Sequence, residues 1–136
     1  MPNFRHEPEL PSSGSAIERD GFSQTIQLRD GDKTLATALW YAPAGQQGVV
    51  QLIELTVDPS HCRHGLGSSL LREVIQQAIS LHNLRKRRLR RIWVSVGQKT
   101  QVIARAFLTQ HGFHHTATIK ELLDHQDALV YVRTFD

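Results

Sequence analysis

Between Val57 and Leu66 the chain changes its hydrophobic period. Up to that point an apolar run, Val49 to Val57, has the length and β-branched content of a strand. From Leu66 the residues Leu66, Leu70, Leu71, Val74, Ile75, Ala78 and Ile79 fall on one stripe of a helix. Asp58-Pro59-Ser60-His61-Cys62-Arg63-His64-Gly65 joins the two, and Gly67 follows inside the first turn of the helix. The pattern demands a sheet for the helix to pack on. It also creates an anion site, because the first N–H groups of a helix lack internal partners and carry the positive end of its dipole. Gly65 and Gly67 remove the β-carbons that would hold a phosphate away from those donors, and Arg63 and His64 add side-chain donors. Glycines also serve any tight strand-to-helix connection, so the turn alone is not specific.

The rest of the chain supplies the sheet. Phe22 to Leu28 alternates as a strand, Arg29-Asp30-Gly31-Asp32 reads as a hairpin turn, and Thr34 to Tyr41 returns. A second turn, Pro43 to Gly48, leads into Val49–Val57, so the three strands form an antiparallel meander. Ile92 to Val96 is a further short strand. A helix over about Thr100 to His111 follows, with Val102, Ile103, Ala106 and Phe107 inward and Gly112 at its end. His114–Leu122 and Leu129–Phe135 read as a closing strand pair. Residues 1–20 hold Pro2, Pro8 and Pro11 with Ser12-Ser13-Gly14-Ser15 and read as a flexible arm or irregular cover, with one short strand before Glu18. The remaining stretch, 21–136, has the size of one domain.

Two motifs in this order resemble those of the GCN5-related N-acetyltransferase (GNAT) superfamily. Its acyl-CoA loop has the form Arg/Gln-x-x-Gly-x-Gly/Ala, and Gly65 and Gly67 fall on the glycine positions. Its next helix reads Asn-x-x-Ala-x-x-x-Tyr-x-x-x-Gly-Phe, and Ala104, Gly112 and Phe113 match at the same spacing. Cys62 stands at the leading loop position beside Arg63, Gln101 stands at the Asn, and Leu108 stands at the Tyr that often serves as general acid. The two helices that family members usually carry near the N-terminus have little room here. The resemblance implies an α/β fold with a mixed, mostly antiparallel sheet of six or seven strands flanked by helices. It implies acetyl-CoA as cosubstrate, bound by Arg63, His64, Gly65, Leu66, Gly67, Ser68 and Gln101, with the backbone of Leu55, Thr56 and Val57 along the pantetheine arm. The activity it implies is transfer of the acetyl group to a primary amine of a small molecule or protein by direct attack on the thioester. The alternative is a non-catalytic acyl-CoA-binding regulator of the same fold.

Such a transfer needs a base for the amine proton, and Glu54, in the strand before the loop, is the candidate. Its side chain is expected on the side of Thr56, opposite Leu55 and Val57. Tyr41 leads the substitutes for the missing tyrosine, with Tyr131, His111 and His114 behind it. The eight histidines lack metal-ligand spacing, so no metal is expected, and the single Cys62 has no base at a suitable spacing. The net charge of +3 comes from Arg85-Lys86-Arg87-Arg88-Leu89-Arg90-Arg91: without these six cations the balance is 10 basic against 13 acidic residues. The run reads first as a solvated helix end, with docking to an acidic protein or to nucleic acid as the alternatives. With no aromatic residues interleaved, a nucleic-acid partner is not expected. No apolar run approaches a bilayer span and the N-terminus lacks a signal-peptide core, so a cytoplasmic protein without a membrane partner is expected, with a homodimer possible in principle.

Overall fold

The computed structural model describes residues 3–8, 21–45, 48–61, 65–97, 101–123 and 126–135. The chain divides into two compact units, Met1–Leu89 and Arg90–Asp136.

In the first unit, β1 (Asn3–Pro8), β2 (Phe22–Asp30), β3 (Lys33–Ala42) and β4 (Val49–Val57) pair in chain order, each antiparallel to the next. β1 is the short strand that was expected before Glu18. Gly31 takes the positive φ (61°) that the β2–β3 turn requires. A short 3-10 turn (Pro59–His61) follows β4, and then comes α1 (Leu66–Leu84). The register puts Ile26, Leu28, Ala36, Ala38 and Trp40 on one face with Val50 and Leu52, and all are buried. The helix stripe Leu66, Leu70, Leu71, Val74, Ile75 and Ala78 is buried as well. Each Leu, Val or Ile withdrawn from water contributes roughly 1.5–3 kcal/mol. Trp40, fully buried, donates its indole N–H to Gln77 Oε1 of α1 at 3.0 Å, so the largest side chain in this core leaves no donor unpaired.

The second unit contains β5 (Arg91–Gly97), α2 (Gln101–Gln110), β6 (His114–Leu123) and β7 (Gln126–Thr134). β7 lies between β5 and β6 and is antiparallel to both. Gly112, at φ 84°, ends α2: its N–H bonds to Thr109 O at 3.1 Å, and Phe113 N–H bonds to Leu108 O at 2.9 Å. This is a Schellman cap, which normally seats an apolar pair at the two ends of the longer bond. Leu108 (3% exposed) and Phe113 (0%) are that pair. The inward face of α2 therefore differs from the sequence expectation. Ala106 is exposed and Phe107 half-buried, while Leu108 enters the core, because the cap fixes which side of the last turn faces inward. The side chains of Val102 and Ile103 lie outside the described residues.

Candidate active site

β4 changes character halfway along. Val50 and Leu52 are buried, which by strict alternation would send Glu54 into the core beneath α1. The register with β3 shifts there: Trp40 pairs with Leu52, and Leu39 pairs with Glu54. Ile53 is the extra residue of a β-bulge and is 48% exposed. Past the bulge the parity inverts. Glu54 and Thr56 are exposed, and Leu55 and Val57 are half-buried. Thr56 Oγ1 lies 3.5 Å from Glu54 Oε1, so the two share a side as the sequence indicated. Leu39 opposite Glu54, and Tyr41 two residues on, belong to the same face of the sheet. Tyr41 is half-buried and packs against Gly21, where an added β-carbon would stand 2.8 Å from its hydroxyl.

Beyond the bulge, Leu55, Thr56 and Val57 pair with Ala38, Thr37 and Ala36. An antiparallel ladder engages alternate residues, so part of this backbone is aimed at the other edge of β4. Asp58 then closes the strand. Its N–H bonds to Leu35 O at 2.7 Å, and its Oδ1 accepts Ser60 N–H at 3.0 Å and Ser60 Oγ–H at 2.9 Å. It thereby caps the 3-10 turn, with Pro59 in the first position, where a missing N–H costs nothing. Lys33, from the tip of the β2–β3 hairpin, pairs with Asp58 Oδ2 at 3.1 Å. The Ser60 donors and Lys33 lower the Asp58 pKa from 3.8 to about 2.

That shift predicts a pH dependence. A carboxylate whose folded pKa is depressed stabilises the fold above its unfolded pKa and loses that contribution as the pH falls through the folded value. The parent chain should therefore melt above Asp58→Asn at neutral pH, with the gap closing between pH 3.8 and about 2. A gap that stays constant across that range would show that the charge on Asp58 is not what holds the turn.

Cys62, Arg63 and His64 lie outside the described residues. Gly65 adopts the left-handed conformation (φ 70°, ψ 16°), and its carbonyl accepts Ser69 N–H at 3.1 Å. Nothing lies within 4 Å of where its β-carbon would be, so here glycine is required by backbone angle and not by space. Leu66 is buried and roots the helix; Gly67 and Ser68 are half-buried in its first turn. No described side chain caps this end, and the first turn contains no acidic residue. The Leu66 and Gly67 N–H groups precede the first intrahelical donor, Ser69 N–H, and lie at the positive end of the helix dipole.

The second unit holds the remaining candidates. Gln101 opens α2, and its side chain lies outside the described residues. Tyr131 is 1% exposed, against the ring of His115 at 5.5 Å. His111 stacks on Phe107 at 4.8 Å, and its carbonyl accepts a bond from Arg133. His114 is exposed at the start of β6. Leu108, at the position of the missing tyrosine, is a core residue that carries the helix cap. Among the described residues no three His, Cys, Asp or Glu side chains converge as a metal site, and no helix is long and apolar enough to cross a membrane.

Sequence reasoning missed the bulge and the Lys33–Asp58 pair. The first had a signal: the polar residues of the strand change parity, from Gln51 to Glu54 and Thr56. The second joins residues 25 apart in the chain and had none.

Comparison with known proteins bears on the fold and the family. No curated protein sequence matches the chain. Among solved structures, the ribosomal-protein-S18-alanine N-acetyltransferase from Escherichia coli superposes with a TM-score of 0.72 at 18% identity, covering 98% of this chain and 94% of the other. An IAA acetyltransferase from Bacillus cereus has a TM-score of 0.72 at 12% identity, covering 98% and 100%. A GNAT family acetyltransferase from Elizabethkingia anophelis, solved with acetyl-CoA bound, has a TM-score of 0.71 at 12% identity, covering 98% and 99%. These likenesses show the fold: a mixed, mostly antiparallel sheet flanked by helices. The family model for the acetyltransferase (GNAT) family matches residues 2–113. The chain belongs to the acetyltransferase (GNAT) family.

Proposed function

We propose that the protein transfers an acetyl group from acetyl-CoA to a primary amine by direct attack on the thioester. The observation that carries this reading is the left-handed Gly65 leading into a helix start without an acidic residue, after a strand that displays Glu54 past its bulge. The Leu66, Gly67 and Ser68 amides would hold the pyrophosphate, with Arg63, His64 and Gln101 contributing, and the backbone of Leu55, Thr56 and Val57 would carry the pantetheine arm. Glu54, directly or through one water, takes the proton the amine nitrogen loses as it bonds to the acetyl carbon. Formation of that N–C bond breaks the carbon–sulfur bond, and Tyr41 is the proposed donor to the departing sulfur. A thiol is acidic enough (about 8.5) to leave without much help, so the burial of Leu108 where an acid often stands does not forbid turnover.

The test is release of free thiol from acetyl-CoA with a panel of small amines, polyamines and peptides. The panel includes a peptide with an N-terminal alanine, the acceptor named for the Escherichia coli neighbour. Acceptor-dependent thiol release with an acetylated product is the expected result. Tight CoA binding with no turnover on any acceptor would overturn it and leave an acyl-CoA-binding regulator, the reading that Leu108 favours.

A further inference from the structure

The cations of this chain are segregated. No Asp or Glu occurs between Glu73 and Glu121, and that interval holds nine of the 16 Lys and Arg residues, six of them in 85–91. The remaining seven cations share the rest of the chain with all 13 acids. The structure then gives the run a shape. Lys86, at φ 55°, reverses the backbone after α1: its N–H bonds to Asn83 O at 3.0 Å, and Arg87 N–H bonds to His82 O at 2.8 Å. Residues 87–90 are irregular, with Leu89 buried between exposed Arg88 and Arg90, and Arg91 is exposed at the start of β5. None of Lys86, Arg87, Arg88, Arg90 and Arg91 is ion-paired with a described residue.

The helix dipole favours cations only within the last turn of α1. It accounts for Lys86 and Arg87 and leaves Arg88, Arg90 and Arg91 without an ion-pair partner among the described residues. Uncompensated like charge repels itself, and a polyanion would relieve that. We propose that Lys86, Arg87, Arg88, Arg90 and Arg91 form a docking strip for the phosphodiester backbone of a double-stranded nucleic acid. This departs from the sequence expectation of no nucleic-acid partner, because Arg88, Arg90 and Arg91 lie beyond the last turn of α1, within which a helix end favours cations. Arginine dominates the run, and its planar fork matches phosphate oxygens in pairs. The lack of aromatics within the run argues against unstacked single strands and for backbone contact with a duplex. A lipid surface would reward apolar side chains among the cations, and the stretch offers Leu84 alone, 83% exposed at its edge.

The test uses the full chain with short fluorescent RNA and DNA duplexes of one sequence, followed by anisotropy. Binding should weaken steeply between about 50 and 200 mM salt, with a log–log slope of about −4.5 for about five phosphate contacts. Arg88→Gln with Arg90→Gln should lower that slope by about 2 and weaken binding at least about tenfold. Should that pair melt below the parent, Lys86→Gln with Arg91→Gln carries the same comparison. Equal affinity for the two duplexes would support pure backbone contact; a preference for one would support the strip and identify its nucleic acid. No salt-dependent binding to either duplex would overturn the proposal, as would a slope unchanged in the double variant. Tighter binding to polyglutamate, or to vesicles of anionic phosphatidylglycerol, would overturn it in favour of an acidic protein or a membrane.

Discussion

Gly67→Asp is expected to abolish acetyl-CoA binding while making the protein more stable. The two effects have opposite signs for one reason. Gly67 lies in ordinary helical backbone in the first turn of α1, where neither an acidic residue nor a described side-chain cap is present. Glycine is the poorest helix former after proline, and a carboxylate near a helix N-terminus is worth about 0.3–1 kcal/mol, so the melting temperature should rise. The same carboxylate would compete for the amides that a pyrophosphate needs, and it would repel the incoming phosphates. The expected loss is at least about a hundredfold in Kd, or about 2.7 kcal/mol, read by calorimetry on CoA. Because the variant folds better, lost affinity could not be blamed on unfolding. Parent-like affinity would place the cofactor elsewhere and remove the basis of the acyltransfer reading.

The second large effect is expected at Glu54. Glu54→Gln keeps the shape and a hydrogen-bond acceptor for Thr56, and the side chain is exposed, so stability should stay within about 0.5 kcal/mol of the parent. General-base catalysis is typically worth about 10²–10⁴-fold. With a proven acceptor, kcat should fall at least about a hundredfold in the variant, with KM for acetyl-CoA nearly unchanged. Raising the pH should recover part of the rate, since the amine then arrives deprotonated. A fall in kcat of less than about threefold would make Glu54 an ordinary surface carboxylate, since that lies well below the range of a general base.

The parts of this molecule that announce themselves in the sequence are those whose cause is local. Gly31 and Gly112 mark their turns because each must take a positive φ, and the α1 stripe is legible because a helix repeats its inward face every turn. α2 was harder. Its apolar residues are compatible with more than one inward face, and the choice is made by the Leu108–Phe113 cap. Ile53 masked the parity change between Gln51 and Glu54 because it is itself apolar and extends the run. At the candidate site, the turn at Gly65 and the outward side of Glu54 could be read from motif and position. What fixes the loop between them, Lys33 on Asp58, arises only when the hairpin tip folds back beside the end of β4. The protonation step stayed open for the same reason, since Tyr41 depends on its packing at Gly21.

The bulge at Ile53 makes β4 two half-strands of opposite phase spliced end to end. Variant libraries that aim to remodel the amine-facing surface should therefore count outward positions from residue 54 and anchoring positions from residue 52. Side-chain replacements on either half should stay confined to their own face. Deleting Ile53 would straighten the splice without exchanging the faces: Leu52 and Glu54 already oppose the neighbouring Trp40 and Leu39, so Glu54 would stay outward and Leu55 would stay anchored.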